Sequence, residues 1–273
     1  MYSYSIMYVL NPYYVYINSR DRESGTNGNF TYNIQMPSDL QQQFTHVVCL
    51  NALIPKSYYL IQAGENTFQL QENNTIVTIT VPVGSYLLST FKSTIGNLLT
   101  AASPNSLTYT LTYPANNLPD TGKWTYTQNN GSIVSSLIFN SILFEPFGFL
   151  QNSTNTFTGT TLISTACIKL QSEDRLLIHT NMIQTPTRDD VLVSINSSSN
   201  INFSSISWEC PAPEFYSHPI SSKSSSSFSF TLTDESNNII SLNGLNMNLT
   251  ILLYTKDPIF DQLRNFIKLL LLK

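Results

Sequence analysis

The sequence predicts an all-β, antiparallel fold, and three observations carry that expectation. Apolar and polar residues alternate with a period of two in one segment after another. The segments are short and bounded by Asn, Pro, Ser and Gly, and they are rich in Thr, Tyr, Phe, Val and Ile. Many short strands of this kind make a sandwich, a barrel or a jelly roll. Two complete jelly rolls are cramped within 273 residues, so a single one with extra loops or an insertion is the better fit.

The elements follow in chain order. The N-terminal MYSYSIMYVLNPYYVYI has no positive n-region and no clean apolar core, so it is a poor signal peptide. HVVCLNALI (46–54) is apolar on nearly both faces and is expected as a central strand. TIVTITV (75–81) sets Val77, Ile79 and Val81 on one side. A short helix is expected next, with Ser85 as N-cap and Leu87, Phe91, Ile95 and Leu98 on one face. LTYTLTY (107–113) places Leu107, Tyr109, Leu111 and Tyr113 opposite Thr108, Thr110 and Thr112, while KWTYT (123–127) and VLVSI (191–195) alternate likewise. FSFTLT (228–233) aligns Phe228, Phe230 and Leu232 against Ser229, Thr231 and Thr233. NLPDTG (117–122), TPTRDD (185–190) and SSKSSSS (221–227) are turns or connectors.

At the far end Asp257 as N-cap and Pro258 at the first helical position open an amphipathic helix over 257–273. Its apolar stripe includes Leu263, Phe266 and Ile267. That stripe is too apolar for a free tail, and three covers are open: its own sheet, a neighbouring subunit, or a membrane surface. The chain is therefore divided into a domain at 1–256 and this helix at 257–273.

Composition removes several classes of function. Charged residues are 11% of the chain, under half the roughly 25% of an ordinary domain. Ser, Thr and Asn together supply 92 of the 273 residues, so the polar surface is made largely without ions. Intrinsic disorder does not fit a chain that is 41% hydrophobic with 15 Tyr and 15 Phe. Specific nucleic-acid binding does not fit a pI near 5.3. No run reaches the roughly 20 apolar residues that span a bilayer. Seven N-x-S/T sequons occur, about the number that chance predicts, so they carry no information on glycosylation. Cys49, Cys167 and Cys210 have neither disulfide nor zinc spacing and are expected as reduced, mostly buried thiols.

Catalytic constellations are not marked. His46, His179 and His218 are scattered, no G-x-S-x-G elbow occurs, and all three are expected to be structural. The acidic pairs Glu173/Asp174, Asp189/Asp190 and Asp234/Glu235 are adjacent in sequence, which in extended chain sends the side chains to opposite faces. No phosphate loop, metal-ligand spacing or cofactor motif is present, and no catalytic, metal or cofactor residue is assigned. Trp124 and Trp208 are sugar-stacking types but sit among strand residues that pattern as core. Arg20, Asp21, Arg22 and Glu23 form the one dense charge cluster, read either as a solvated loop or as an ion-paired corner at a subunit contact.

Several strings, taken together and in order, resemble the penton (minor capsid) proteins of virophages and Polinton-like viruses. They are YINSRDRESG…NFTYNI (16–34), VVCLNALIPKSYYLIQAGENTF (47–68), TITVPVGSYLLSTF (78–91), LTYPANNLPDTGKWTY (111–126), FEPFGF (144–149) and FSFTLTDESNNIISLNGLNMNLTILLY (228–254). The resemblance implies a single jelly roll of two four-stranded sheets, forming homopentamers at the fivefold vertices of an icosahedral shell. It further implies a non-enzymatic virion protein, a double-jelly-roll major capsid protein as partner, and assembly in a viral factory in host cytoplasm. The chain is longer than a minimal jelly roll, which places an insertion or outward cap at about 114–165. The charge cluster Arg20, Asp21, Arg22 and Glu23 and the apolar stripe residues Leu263, Phe266 and Ile267 are candidate subunit-interface residues; the C-terminal helix lies outside the matched strings, so the resemblance assigns it no role. The competing reading is a carbohydrate-binding β-sandwich or receptor-binding head; a glycosidase resting on the paired acids ranks behind both.

Overall fold

The computed structural model describes residues 9–35, 44–113, 119–140, 143–171, 174–183, 190–198, 200–221 and 226–256. The first strands are β1 (Val9–Asn18), β2 (Ser24–Gly25), β3 (Asn29–Asn33), β4 (His46–Pro55), β5 (Thr67–Glu72) and β6 (Thr75–Thr80). Helix α1 (Leu88–Ala102) precedes β7 (Tyr109–Thr112), β8 (Thr125–Gln128), β9 (Ser135–Phe139), β10 (Ser153–Thr156) and β11 (Thr161–Ile163). Then follow β12 (Arg175–Thr180), β13 (Val191–Asn196), β14 (Ser205–Glu209), β15 (His218–Pro219), β16 (Ser227–Thr233) and β17 (Asn248–Lys256). The expected C-terminal helix lies outside the described residues.

The chain divides into two compact units, Met1–Tyr58 with Glu173–Lys273, and Tyr59–Ser172. The expected insertion at 114–165 falls within the second unit. In the first unit the sheets run β1-β17-β4-β14 and β13-β12-β16-β3, with the two-residue strands β15 and β2 attached to β4 and β3. Number the eight long strands of this unit in chain order. The observed antiparallel ladders join first to eighth (β1·β17), second to seventh (β3·β16), third to sixth (β4·β14) and fourth to fifth (β12·β13). That nesting is a long hairpin rolled into two four-stranded sheets, the jelly-roll order. The second unit interrupts the connection from third to fourth strand.

Alternation explains which faces meet. Val15, Ile17, Val47, Cys49, Leu249 and Ile251 point inward from one sheet, and Phe30, Leu176, Ile178, Phe228 and Phe230 from the other, all in one buried cluster. Stacked Phe30 and Phe230 are a cross-strand pair with centroids 5.7 Å apart. Strand β4 is central, as its two-faced apolarity requires: Val48, on the face away from the main core, is also fully buried and clusters with Leu252 and Tyr254.

The second unit has its own sheets, β10-β9-β5-β6 and β11-β8-β7, and its own aromatic core. Helix α1 buries Phe91, Ile95 and Leu99. The expected start was wrong by a few residues: the Ser85 hydroxyl accepts from the Leu60 amide, Leu87 is exposed, and Thr90 Oγ1 accepts the Leu87 N–H at 3.0 Å. The buried stripe accordingly runs 91, 95, 99. FEPFGF makes a single 3-10 turn, Glu145–Phe147, stopped by Gly148 at φ 75°. A Cβ at Gly148 would lie 2.6 Å from Ser164 Oγ, so only glycine lets the chain turn here and deliver Phe147 and Phe149 to the core.

Candidate functional site

The charged corner at 20–23 is built from its own backbone outward. Asn18 accepts the Arg20 N–H at 2.9 Å and starts a 3-10 turn over Ser19–Asp21. Arg20 and Asp21 form an ion pair at 3.2 Å, but both side chains are more than half exposed, so the pair contributes little. Arg22 clamps the loop instead, donating from Nη1 to the Ser19 carbonyl at 2.9 Å and from Nε to the Gly25 carbonyl at 3.0 Å. Glu23 accepts from the Ser227 hydroxyl of β16 at 3.1 Å. The guanidinium of Arg22 and the carboxylate of Glu23 thus tie the first connection to two strands, leaving Arg20 as the outward cation. Leu263, Phe266 and Ile267 lie outside the described residues.

The histidines part company. His46 stacks on Tyr254 with centroids 5.6 Å apart, and burial lowers the His218 pKa. His179 is different. Its Nδ1 lies 2.7 Å from Asp190 Oδ1 and its Nε2 lies 2.9 Å from Thr233 Oγ1. The spacing is that of an acid–imidazole–hydroxyl relay. A nucleophile, however, must be reachable and must hand its proton to the imidazole. Thr233 is 4% exposed, and its hydroxyl donates to the Asp234 carbonyl at 3.0 Å. The relay therefore fastens Asp190, just before β13, to β12 and β16 and offers no accessible nucleophile.

Of the acidic pairs, Glu173 and Asp189 lie outside the described residues. Asp234 is a turn former: Oδ1 accepts from the Ser236 and Asn238 amides, both at 2.8 Å, and Oδ2 from Asn238 Nδ2 at 2.9 Å. Its neighbour Glu235 faces away and pairs with Arg175 at 3.2 Å. Among the described residues no group of three or more His, Cys, Asp or Glu is arranged to hold a metal ion. No described helix is long and apolar enough to cross a membrane.

Solved structures similar to this chain include two virophage proteins. The crystal structure of the SeMet-labelled mavirus penton protein is 12% identical, with the match covering 89% of this chain and 99% of that one at a TM-score of 0.45. A chain in the 3.5 Å cryo-EM structure of the Sputnik virophage is 11% identical, with 90% and 98% covered and a TM-score of 0.42. No family model matches the sequence, and no curated protein matches it.

Two buried charges escape a sequence reading. Glu72 is fully buried in the second unit. Burial by itself would raise its pKa, but hydrogen bonds from Ser103, Tyr109 and Asn105 outweigh that and hold it below the usual 4.5. The signal was present: in TFQLQE, Glu72 falls on the same face as Phe68 and Leu70. Lys56 is 3% exposed and donates from Nζ to the carbonyls of Ser197 at 2.9 Å and Asn200 at 2.8 Å. Two further expectations are corrected. Cys167 is exposed, because it lies in the loop facing Gly122, while Cys49 is buried with its thiol pKa pushed up to about 12 by burial and by Cys210. Trp124 is fully buried with its indole N–H bonded to the Pro146 carbonyl, so it is no sugar platform; Trp208 is only partly buried, beside exposed Tyr216.

Proposed function

We propose that this chain is a structural, non-catalytic capsid protein of a virus of the virophage or Polinton-like type. In this reading it assembles as a homopentamer at the fivefold vertices of an icosahedral shell, next to a double-jelly-roll major capsid protein. The observation that carries the reading is the first–eighth, second–seventh, third–sixth, fourth–fifth nesting of the first unit's strands. Two of the six strings that resemble penton proteins, 16–34 and 228–254, lie within this unit, and a third, 47–68, begins in it. A closed ring needs two different patches per subunit, meeting around the axis. Interface centres are depleted in charge, and a chain with 11% charged residues is suited to that requirement. The location follows from the role: the virion, with assembly in host cytoplasm.

Native mass measurement with negative-stain imaging tests the reading, and fivefold rings are expected. A protein that stays monomeric at high concentration and fails to enter shells on co-expression with the major capsid protein overturns it. For the interface residues, Arg20→Ala and Phe266→Asp are each expected to reduce ring yield. Unchanged ring mass in both variants removes those two residues from the interface.

A further inference from the structure

A cleft of about 560 Å³ opens on the outer face of the second sheet of the jelly roll, and nothing in the capsid reading uses it. Its lining includes Leu177 and His179 of β12, Asp190, and Glu235, Asn237 and Ile239 after β16. The volume is within the range of small-molecule sites. The cleft's imidazole and the turn beside it are anchored, while Glu235 is only loosely oriented by an exposed ion pair. His179 is fixed between Asp190 and Thr233, Glu235 is paired with Arg175, and the turn at 234–238 is fastened by Asp234.

The chemistry of the lining narrows the occupant. Asp190 and Glu235 remain 57% and 61% exposed, so both carboxylates can still accept from a ligand. Glu235 already has a guanidinium partner, which makes the acceptor strong without leaving its charge unbalanced. Asn237 adds an amide that can donate and accept. Leu177 and exposed Ile239 supply aliphatic surface beside these groups. Planar acceptors interleaved with aliphatic patches match a ligand whose hydroxyls and C–H faces alternate.

We propose that this cleft binds a neutral oligosaccharide, with Asp190, Glu235 and Asn237 taking its hydroxyls and Leu177 and Ile239 packing on its sugar faces. The proposal is independent of pentamer formation. It uses none of the chain's Phe, Tyr or Trp side chains.

The test is an array of neutral oligosaccharides probed with the full chain, followed by titration calorimetry on the sugars retained. Glu235→Gln and Ile239→Arg alter exposed side chains, so folding is not at stake, and thermal melting checks that. Glu235→Gln is expected to weaken binding about tenfold, as for loss of a hydrogen bond to a charged group. Ile239→Arg is expected to abolish it by occupying the cleft. No neutral sugar retained, or binding by both variants equal to that of the wild type, overturns the proposal.

Discussion

Replacing Glu72 by Gln changes one atom and breaks a buried network. Oε1 of Glu72 accepts from Ser103 Oγ at 2.6 Å and from Tyr109 OH at 2.8 Å; Oε2 accepts from the Asn105 amide at 2.9 Å and from Asn105 Nδ2 at 3.0 Å. The carboxylate thus meets four donors and offers none. A glutamine amide must point its NH2 at one pair. Toward Asn105 it would face the backbone N–H, which cannot turn into an acceptor, and the side-chain amide, which accepts only if it flips. Toward Ser103 and Tyr109 the hydroxyls can rotate, and Tyr109 can keep its bond to Ser135 Oγ at 2.9 Å. The second orientation is therefore taken, at the loss of two charge-assisted hydrogen bonds. At about 1.5–3 kcal/mol each, partly recovered by the rotated hydroxyls, the expected destabilisation is about 2–4 kcal/mol. For a chain of this size that lowers Tm by about 5–10 °C.

The same network gives the pH dependence, which makes the prediction sharp. The pKa of Glu72 is depressed in the folded protein, below the usual 4.5. Its contribution is thus fully present above pH 4.5 and is lost as pH falls through the folded pKa. Differential scanning calorimetry of wild type and Glu72→Gln at neutral pH and through the acid range reads both effects. The gap in Tm should be large at neutral pH and shrink on acidification. Equal melting at neutral pH, or a gap that persists undiminished in acid, refutes the reasoning.

Two further substitutions probe other elements. Gly148→Ala forces a Cβ to 2.6 Å from Ser164 Oγ and 2.8 Å from the Ala166 carbonyl at φ 75°; the left-handed penalty plus overpacking should cost about 2–4 kcal/mol, read by urea unfolding. Lys56→Met keeps the aliphatic stem but strips the donors from two carbonyls, and should cost about 2–4 kcal/mol in the same assay. Burial lowers the Lys56 pKa below 10.5, against the opposing pull of Asp174. Wild type should therefore gain on the Met variant as pH rises from the folded pKa towards 10.5, and a gap that narrows there contradicts the assignment.

What could be read from the chain was local. Period-two alternation placed Phe228, Phe230 and Leu232 inside, and the two-faced run at 46–54 in the middle of a sheet, because burial pattern depends only on neighbours one and two residues away. Partners distant in sequence were not legible. Val15 pairs with Ile251 and Phe30 with Phe230, and no alternating segment names its mate. For the same reason the alternating strands of the second unit are indistinguishable in sequence from those of the first, though they pack in a separate core. The His179 relay was hidden likewise, since its members lie 11 and 54 residues apart. The helix start was misplaced because Ser85 spends its hydroxyl on Leu60, a partner no local rule supplies.

The way the chain leaves and re-enters the first unit makes the division into two units testable. Before the exit, Lys56 Nζ donates to the Ser197 carbonyl at 2.9 Å and the Tyr58 hydroxyl donates to Ser197 Oγ at 3.2 Å. After the return, the Ser197 N–H donates to the Asp174 carbonyl at 2.7 Å. Outgoing and incoming chain are therefore pinned to one residue, and their separation is small. About six Gly and Ser residues reach up to about 20 Å, enough to join them in place of Tyr59–Ser172. Among the described residues, the core of the jelly roll draws none from that segment. A chain so shortened should keep an antiparallel β spectrum and melt cooperatively, with Tyr58 buried as before. Loss of cooperative melting, with a dye-binding compact state in its place, would show that the roll depends on the segment it surrounds in sequence, and that Ser197 alone does not hold the opening closed.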